Sequence, residues 1–233
     1  MKKIGIVCVL VALASIFFSC EKETILNNSE NSLLENKTNG IDLSQVPNYL
    51  DGKLILNLDT LERFGDNLIS FYDGEDNLMY NFSSKENFYN WVKYRTNGSK
   101  IIKIDESMDF LSDYADKCGA IAYYEQTGEI LEEYQLVADS IAKIFTGKNK
   151  NLIMVLHDLV ACTGSEYAVA GAFWPSFGSF NNKTTSVEAP LCLISALCDL
   201  KWFRGTRFYI TSFAGSLDHV GNFDNKAESL CLF

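Results

Sequence analysis

Hydrophobic residues change their rhythm several times along the chain. Lys2 and Lys3 precede an apolar run from Ile4 to Phe18, 15 residues long. That is short for a bilayer span of about 20 residues and suits the core of a secretory signal. Residues 21–45 then lose the pattern: they are rich in Asn, Ser, Glu and Lys, contain no aromatic residue, and read as a flexible tether. From Tyr49 to about Lys150 short strand-like and helix-like pieces alternate. Leu54, Leu56 and Leu58 alternate with Lys53, Ile55 and Asn57, a half-buried strand pattern blurred by Ile55. Ser83-Ser84-Lys85-Glu86 is a capping-box signature, with Phe88, Trp91 and Val92 following at helical spacing. Ser107 to Ala115 predicts a second helix, with Met108, Phe110, Leu111 and Tyr114 inward and Gly119 as its stop.

Gly128 to Phe145 fits two patterns. Ile130, Leu131, Tyr134, Val137, Ile141 and Ile144 suit a helix, while Gln135-Leu136-Val137 and Ile141 to Phe145 around Asp139-Ser140 suit a hairpin. The hairpin is preferred, because Gly128-Glu129-Ile130 followed by Asp139-Ser140-Ile141-Ala142-Lys143 is similar to a phrase of surface-lipoprotein modules. Trp91 reads as a core aromatic. Beyond residue 151 the apolar runs shorten to strand length, at Leu152 to Leu156 and Leu191 to Leu197, and glycine-containing turns separate them.

Composition adds limits. The chain of 233 residues is 47% hydrophobic and 13% aromatic, enough for a packed core. Thirty acids against 20 bases give a net charge of −10, with no basic stripe to meet phosphates, so nucleic acid is not an expected partner. At the end of the leader, Phe17-Phe18-Ser19-Cys20 resembles the lipobox of bacterial lipoproteins, although two phenylalanines depart from its usual form. The resemblance implies that residues 1–19 are a signal peptide and that Cys20 becomes an acylated N-terminus. Several acyl chains together hold a protein on a membrane. Glu21-Lys22-Glu23 is similar to surface-export signals of Gram-negative lipoproteins, implying an exported chain at the bacterial envelope, on the outer membrane. Such a compartment permits disulfides.

The C-terminal third repeats itself. Gly178-Ser179-Phe180-Asn181-Asn182-Lys183-Thr184-Thr185-Ser186 aligns with Gly221-Asn222-Phe223-Asp224-Asn225-Lys226-Ala227-Glu228-Ser229 at an offset of 43 residues. Upstream, His157 to Gly164 aligns with Cys198 to Gly205 at an offset of 41. Each copy supplies four short strands, and two copies meet the requirement for a small Greek-key sandwich. On these residues, 151–233 resembles a βγ-crystallin domain. Its pattern is a folded hairpin with two aromatics and a glycine, closed by Asx-Asx-x-x-Ser/Thr-Ser. The first copy matches the closing phrase in full but has His157 and Cys162 in the aromatic places. The second has Phe203 and Gly205 in place, Cys198 in the first aromatic position, and Glu228 where a hydroxyl belongs. The expected architecture is therefore an α+β region, 46–150, followed by an all-β two-motif Greek-key sandwich, 151–233.

Asn and Asp tolerate tight turns and carry short oxygen donors, and Ca2+ takes six to eight oxygens. The resemblance implies two ions, each held by one closing phrase and a donor from the other unit's hairpin. One site would use Asn182, the Lys183 carbonyl and Thr185; the other, Asn225, the Lys226 carbonyl and Glu228. Asp158 and Asp199 are the candidate cross-unit donors. With few charged ligands, Kd is expected in the roughly 10⁻⁴ to 10⁻³ M range of extracellular modules.

No zinc-protease, serine-hydrolase, phosphate-loop or dinucleotide motif occurs, and the chain reads as non-catalytic. His157 is assigned to a core aromatic's space and His219 to a surface loop. Beyond Cys20, the cysteines Cys118, Cys162, Cys192, Cys198 and Cys231 include four in the repeat region that allow two bridges, with no pairing readable. The leading expectation is an anchored lipoprotein whose Ca2+-binding domain serves a binding or structural role. The alternative is a protease inhibitor on the same fold, with Gly171 to Phe177 as the inhibitory loop, an expectation from fold analogy alone.

Overall fold

The structure is a computed structural model and describes residues 40–146, 153–189, 194–211 and 215–233. The expected signal peptide, the expected lipidation site Cys20, and Cys192 lie outside the described residues. All described residues fall in one compact unit.

Three layers stack in this unit. A five-stranded sheet has the order β1 (Ile41–Asp42), β12 (Gly215–His219), β9 (Ser186–Ala189), β6 (Ile153–Leu159), β7 (Thr163–Ala170). It faces an eight-stranded sheet ordered β3 (Lys53–Ile55), β2 (Asn48–Leu50), β5 (Leu78–Phe82), β4 (Ile69–Asp73), β11 (Arg207–Thr211), β10 (Ser195–Cys198), β13 (Ser229–Leu232), β8 (Phe173–Trp174). Four helices cover the far side of the larger sheet: α1 (Lys85–Val92), α2 (Gly98–Lys117), α3 (Ala120–Thr127) and α4 (Glu132–Thr146).

The C-terminal units, β6–β9 and β10–β13, exchange their third strands. β8 leaves the first unit to pair with β13, and β12 leaves the second to pair with β9. This is the Greek-key sandwich expected from the repeat. Alternation along each strand then sorts side chains between two cores. Leu197, Phe208, Ile210, Leu230 and Leu232 point between the sheets. Their neighbours Ala196, Cys198, Tyr209, Cys231 and Phe233 point at the helices.

Several expectations are corrected. Residues 128–145 do not form a hairpin: α4 runs from Glu132 to Thr146, with Tyr134 and Ala138 buried. Its ring contacts, Tyr134 on Trp202 and Phe145 on Phe233, both at 5.1 Å, supply the burial that decides helix over strand. Glu132 and Glu133 at its start and Lys143 in its last turn suit the helix dipole. The second helix is longer than expected, beginning at Gly98, and Phe110 faces outward. Ser84, not Ser83, caps α1, accepting the Asn87 N–H at 3.2 Å. Leu54 and Leu56 are exposed rather than half-buried, because β3 is the outermost strand of its sheet.

The tether assigned to 20–45 ends earlier than its boundary, since β1 pairs with β12 and Leu43 is buried between the sheets. Nor is 150/151 a boundary between separate cores. β4 runs parallel to β11 over five residue pairs, from Ile69–Arg207 to Asp73–Thr211, making the two segments one sheet. Trp91 is a core aromatic as expected, packed on Phe71, Tyr80 and Phe82. Disulfides are not seen among the described cysteines: Cys118, Cys162, Cys198 and Cys231 are free thiols.

Candidate functional site

Each Greek-key unit begins with a strand, folds its hairpin back, and ends on the closing phrase. In the first unit, Ala161 and Cys162 take positive φ values of 55° and 49°; in the second, Trp202 and Phe203 take 62° and 60°. These residues turn the hairpin over the sheet, and one serine pins each. Ser186 Oγ accepts the Cys162 N–H at 3.0 Å and donates to the Leu159 carbonyl. Ser229 Oγ accepts the Phe203 N–H at 3.1 Å and donates to the Leu200 carbonyl. The final serine of the phrase therefore has a structural role.

The backbone repeats the same symmetry. Thr185 N–H donates to the His157 carbonyl, as Glu228 N–H does to that of Cys198. Across the units, Asn182 N–H donates to the Ala227 carbonyl and Asn225 N–H to that of Thr184. The Ala161 N–H reaches the Asp218 carbonyl as the Trp202 N–H reaches that of Pro175. Each of these backbone bonds in one unit has its counterpart in the other, which is what a duplicated unit folded about a pseudo-twofold axis requires. Asn182 and Asn225 both sit in the left-handed region, at φ 57° and 54°. A short side chain that bonds locally tolerates this region at little cost.

The side chains cross between units. Asn182 Nδ2 donates to Glu228 Oε1 at 2.6 Å, and Thr185 Oγ1 donates to Asp224 Oδ1 at 2.7 Å. The expected sets, Asn182 with Thr185 and Asn225 with Glu228, are therefore exchanged: each phrase's beginning meets the other's end. Lys183 and Lys226 are exposed, next in sequence to Asn182 and Asn225. His219 lies near Asp224, with Nε2 3.7 Å from its Oδ2. Sequence reasoning missed Asp224, which stands in the first Asx place of its phrase and bears the only carboxylate of the four Asx residues.

Asp158 and Asp199 occupy equivalent places within their own hairpins, not across the interface. Asp158 Oδ1 accepts the Ser165 N–H at 2.6 Å, and the Ser165 bonds hold its carboxyl below the usual range. Asp199 is more buried; burial raises its carboxyl, opposed by bonds from Thr206. Gly164 and Gly205 make the room. At φ 83° and 73°, an added Cβ would lie 2.1 and 2.0 Å from Asp158 Oδ1 and Asp199 Oδ1. Both aspartates thus act first as turn anchors. The Asp199 side also borders a cleft of about 400 Å³, which Asp66 and Lys226 help to line.

The expected inhibitory loop is not a free loop. Phe173 and Trp174 form β8 on β13, Phe173 and Phe177 are buried, and the Phe177 N–H donates to the Glu228 carbonyl.

Solved structures similar to this chain are βγ-crystallin domains. One, from Flavobacterium johnsoniae, shares 14% identity over 36% of this chain and 94% of its own, with a TM-score of 0.31. A βγ-crystallin domain from Clostridium beijerinckii shares 17% identity, 35% and 97% coverage, and a TM-score of 0.30. The N-terminal domain of protein S shares 15%, covering 35% and 94%, with a TM-score of 0.30. At these identities the likeness concerns the fold of the β portion. No family model and no curated protein matches the chain.

Proposed function

We propose that this chain is a non-catalytic envelope lipoprotein whose Greek-key units bind Ca2+ weakly at the two crossed junctions of their closing phrases. The observation that carries the reading is the pairing of Asn182 with Glu228 and of Thr185 with Asp224 at equivalent ends of the interface. Both junctions gather oxygen donors, each has one carboxylate, and the backbone is fixed there by left-handed asparagines. These donors suit a hard cation. One junction would use Asn182, Glu228 and the Lys183 carbonyl; the other Asn225, Asp224, Thr185 and the Lys226 carbonyl. Asp158 and Asp199 keep the hairpins in place from below. Bound Ca2+ would tie the two phrases together and stiffen the sandwich for contact with another macromolecule. Anchoring through acylated Cys20, with residues 21–39 as spacer, belongs to the same proposal and rests on the lipobox-like leader.

Calorimetric Ca2+ titration tests the ion-binding part. The expected result is two weak sites with Kd of roughly 10⁻⁴ to 10⁻³ M, and a melting temperature raised by millimolar Ca2+ over chelator, since a ligand of the folded state stabilises it. Equal melting temperatures and no heat of binding would remove Ca2+ from the account. Palmitate labelling of a Cys20→Ser variant tests the anchor: label should vanish with the thiol.

A further inference from the structure

We propose that His157, Cys162 and Glu188 form a site for a borderline-soft divalent transition-metal ion, Zn2+ foremost, on the outer face of the five-stranded sheet. Their ligand atoms all lie within 4.8 Å of one another. Neighbouring ligands in a tetrahedral zinc site stand roughly 3.5 Å apart, and His157 Nε2 already lies 3.7 Å from Glu188 Oε1.

The backbone brings the trio together. β6 and β9 pair with Val155 opposite Glu188 and His157 opposite Ser186, so His157 and Glu188 share the face turned away from the inter-sheet core. The hairpin folds Cys162 over that face, where the Cys162 N–H is held by Ser186 and the Ala161 N–H by the Asp218 carbonyl. His157 is only 2% exposed, and neither ring nitrogen has a hydrogen-bond partner. A neutral imidazole presents one donor and one acceptor, and leaving them buried and unmet is costly. A metal at Nε2 would meet the acceptor.

The second unit provides an internal comparison. Its equivalent positions are Cys198, Phe203 and Cys231, all fully buried against the helical layer. The fold therefore does not itself demand a histidine, thiol and carboxylate at these places; of the two units only the first has them, and among the described residues no helix packs on its outer face. Thiolate with imidazole and carboxylate favours Zn2+ over Ca2+ or Mg2+, which take oxygen donors. Three protein ligands leave a fourth position for water.

Cobalt substitution is the direct test, using the reduced protein and Co2+ as an optical stand-in for Zn2+. The proposal predicts one equivalent of Co2+ with a thiolate-to-metal charge-transfer band, displaced by Zn2+. Cys162→Ala should abolish the band while keeping Cys118, Cys198 and Cys231. Glu188→Gln should weaken binding by more than the roughly tenfold that losing a supporting partner costs. His157→Phe keeps a ring of similar size and removes both ring nitrogens; it should keep the metal-free melting temperature and lose the band. Absence of one-equivalent binding overturns the proposal, as does an unchanged band in Cys162→Ala. Either failure leaves the Ca2+ reading standing, because the two sites share no ligand.

Discussion

At the scale of single residues, the duplicated unit is held by a few positions that cannot be exchanged freely. Gly164 and Gly205 combine a left-handed backbone with an aspartate oxygen where a Cβ would stand. Gly205→Ala should therefore cost roughly 1–3 kcal/mol, measured by chemical denaturation; a loss under a few tenths would mean that Asp199 moves aside freely. Ser229→Ala removes the acceptor for the Phe203 N–H and the donor to Leu200 in a buried setting. Its expected cost is about 1–3 kcal/mol, with an unchanged denaturant slope. These positions were legible in the sequence, because the repeat singled out the glycines, asparagines and closing serines. The crossing of Asn182 to Glu228 was not. An offset between two copies reveals that they are alike but not which end of one meets which end of the other.

At the scale of elements, the helical layer is fastened to the sheet by a buried charge cluster. Asp105 on α2 accepts from Arg207 and Tyr209, each at 2.5 Å, and pairs with Lys85, while Tyr89 donates at 2.8 Å. Asp109 meets the other arm of Arg207. Burial alone would raise the Asp105 carboxyl, but Arg207 and Lys85 hold it below the usual carboxylate range. A carboxylate with a depressed folded pKa contributes stability that is full above its unfolded value of about 3.9 and lost as pH falls through the folded value. Acid titration of stability should thus steepen below about pH 4, and the Asp105→Asn variant should lose that part of the slope. Asp105→Ala should cost about 3–5 kcal/mol, because it breaks a buried ion pair and leaves Arg207 only the half-exposed Asp109 as a carboxylate partner.

No local pattern foretold this cluster: Asp105 and Arg207 are 102 residues apart. The same distance effect explains the misreading of residues 128–145. Their apolar spacing was consistent with helix or hairpin, and the choice came from Trp202 and Phe233, far along the chain. Strands β10, β11 and β13 are buried on both faces, so their sequences lack the regular polar–apolar alternation of a sheet with one solvated face.

At the scale of the whole molecule, a Greek-key sandwich has been extended at both sheets. β1 continues the five-stranded sheet beyond β12, and β4 continues the larger one beyond β11, with helices closing the far face. The edge and face that the C-terminal units would otherwise expose are thereby covered. The described unit should unfold in a single transition seen alike by tryptophan fluorescence and far-ultraviolet circular dichroism. Two separated transitions would show that the helical segment and the Greek-key units are energetically independent.

The crossed junction is the claim on which the functional reading turns, and a double-mutant calorimetric titration with Ca2+ tests it most directly. With Thr185→Ala, Asp224→Asn and Glu228→Gln prepared singly and in pairs, the account predicts that Thr185→Ala and Asp224→Asn impair the same site, so that their combination costs less than the sum of its parts. Thr185→Ala with Glu228→Gln should instead weaken two different sites additively. Additive losses for Thr185 and Asp224, or Ca2+ binding indifferent to all three substitutions, would contradict it.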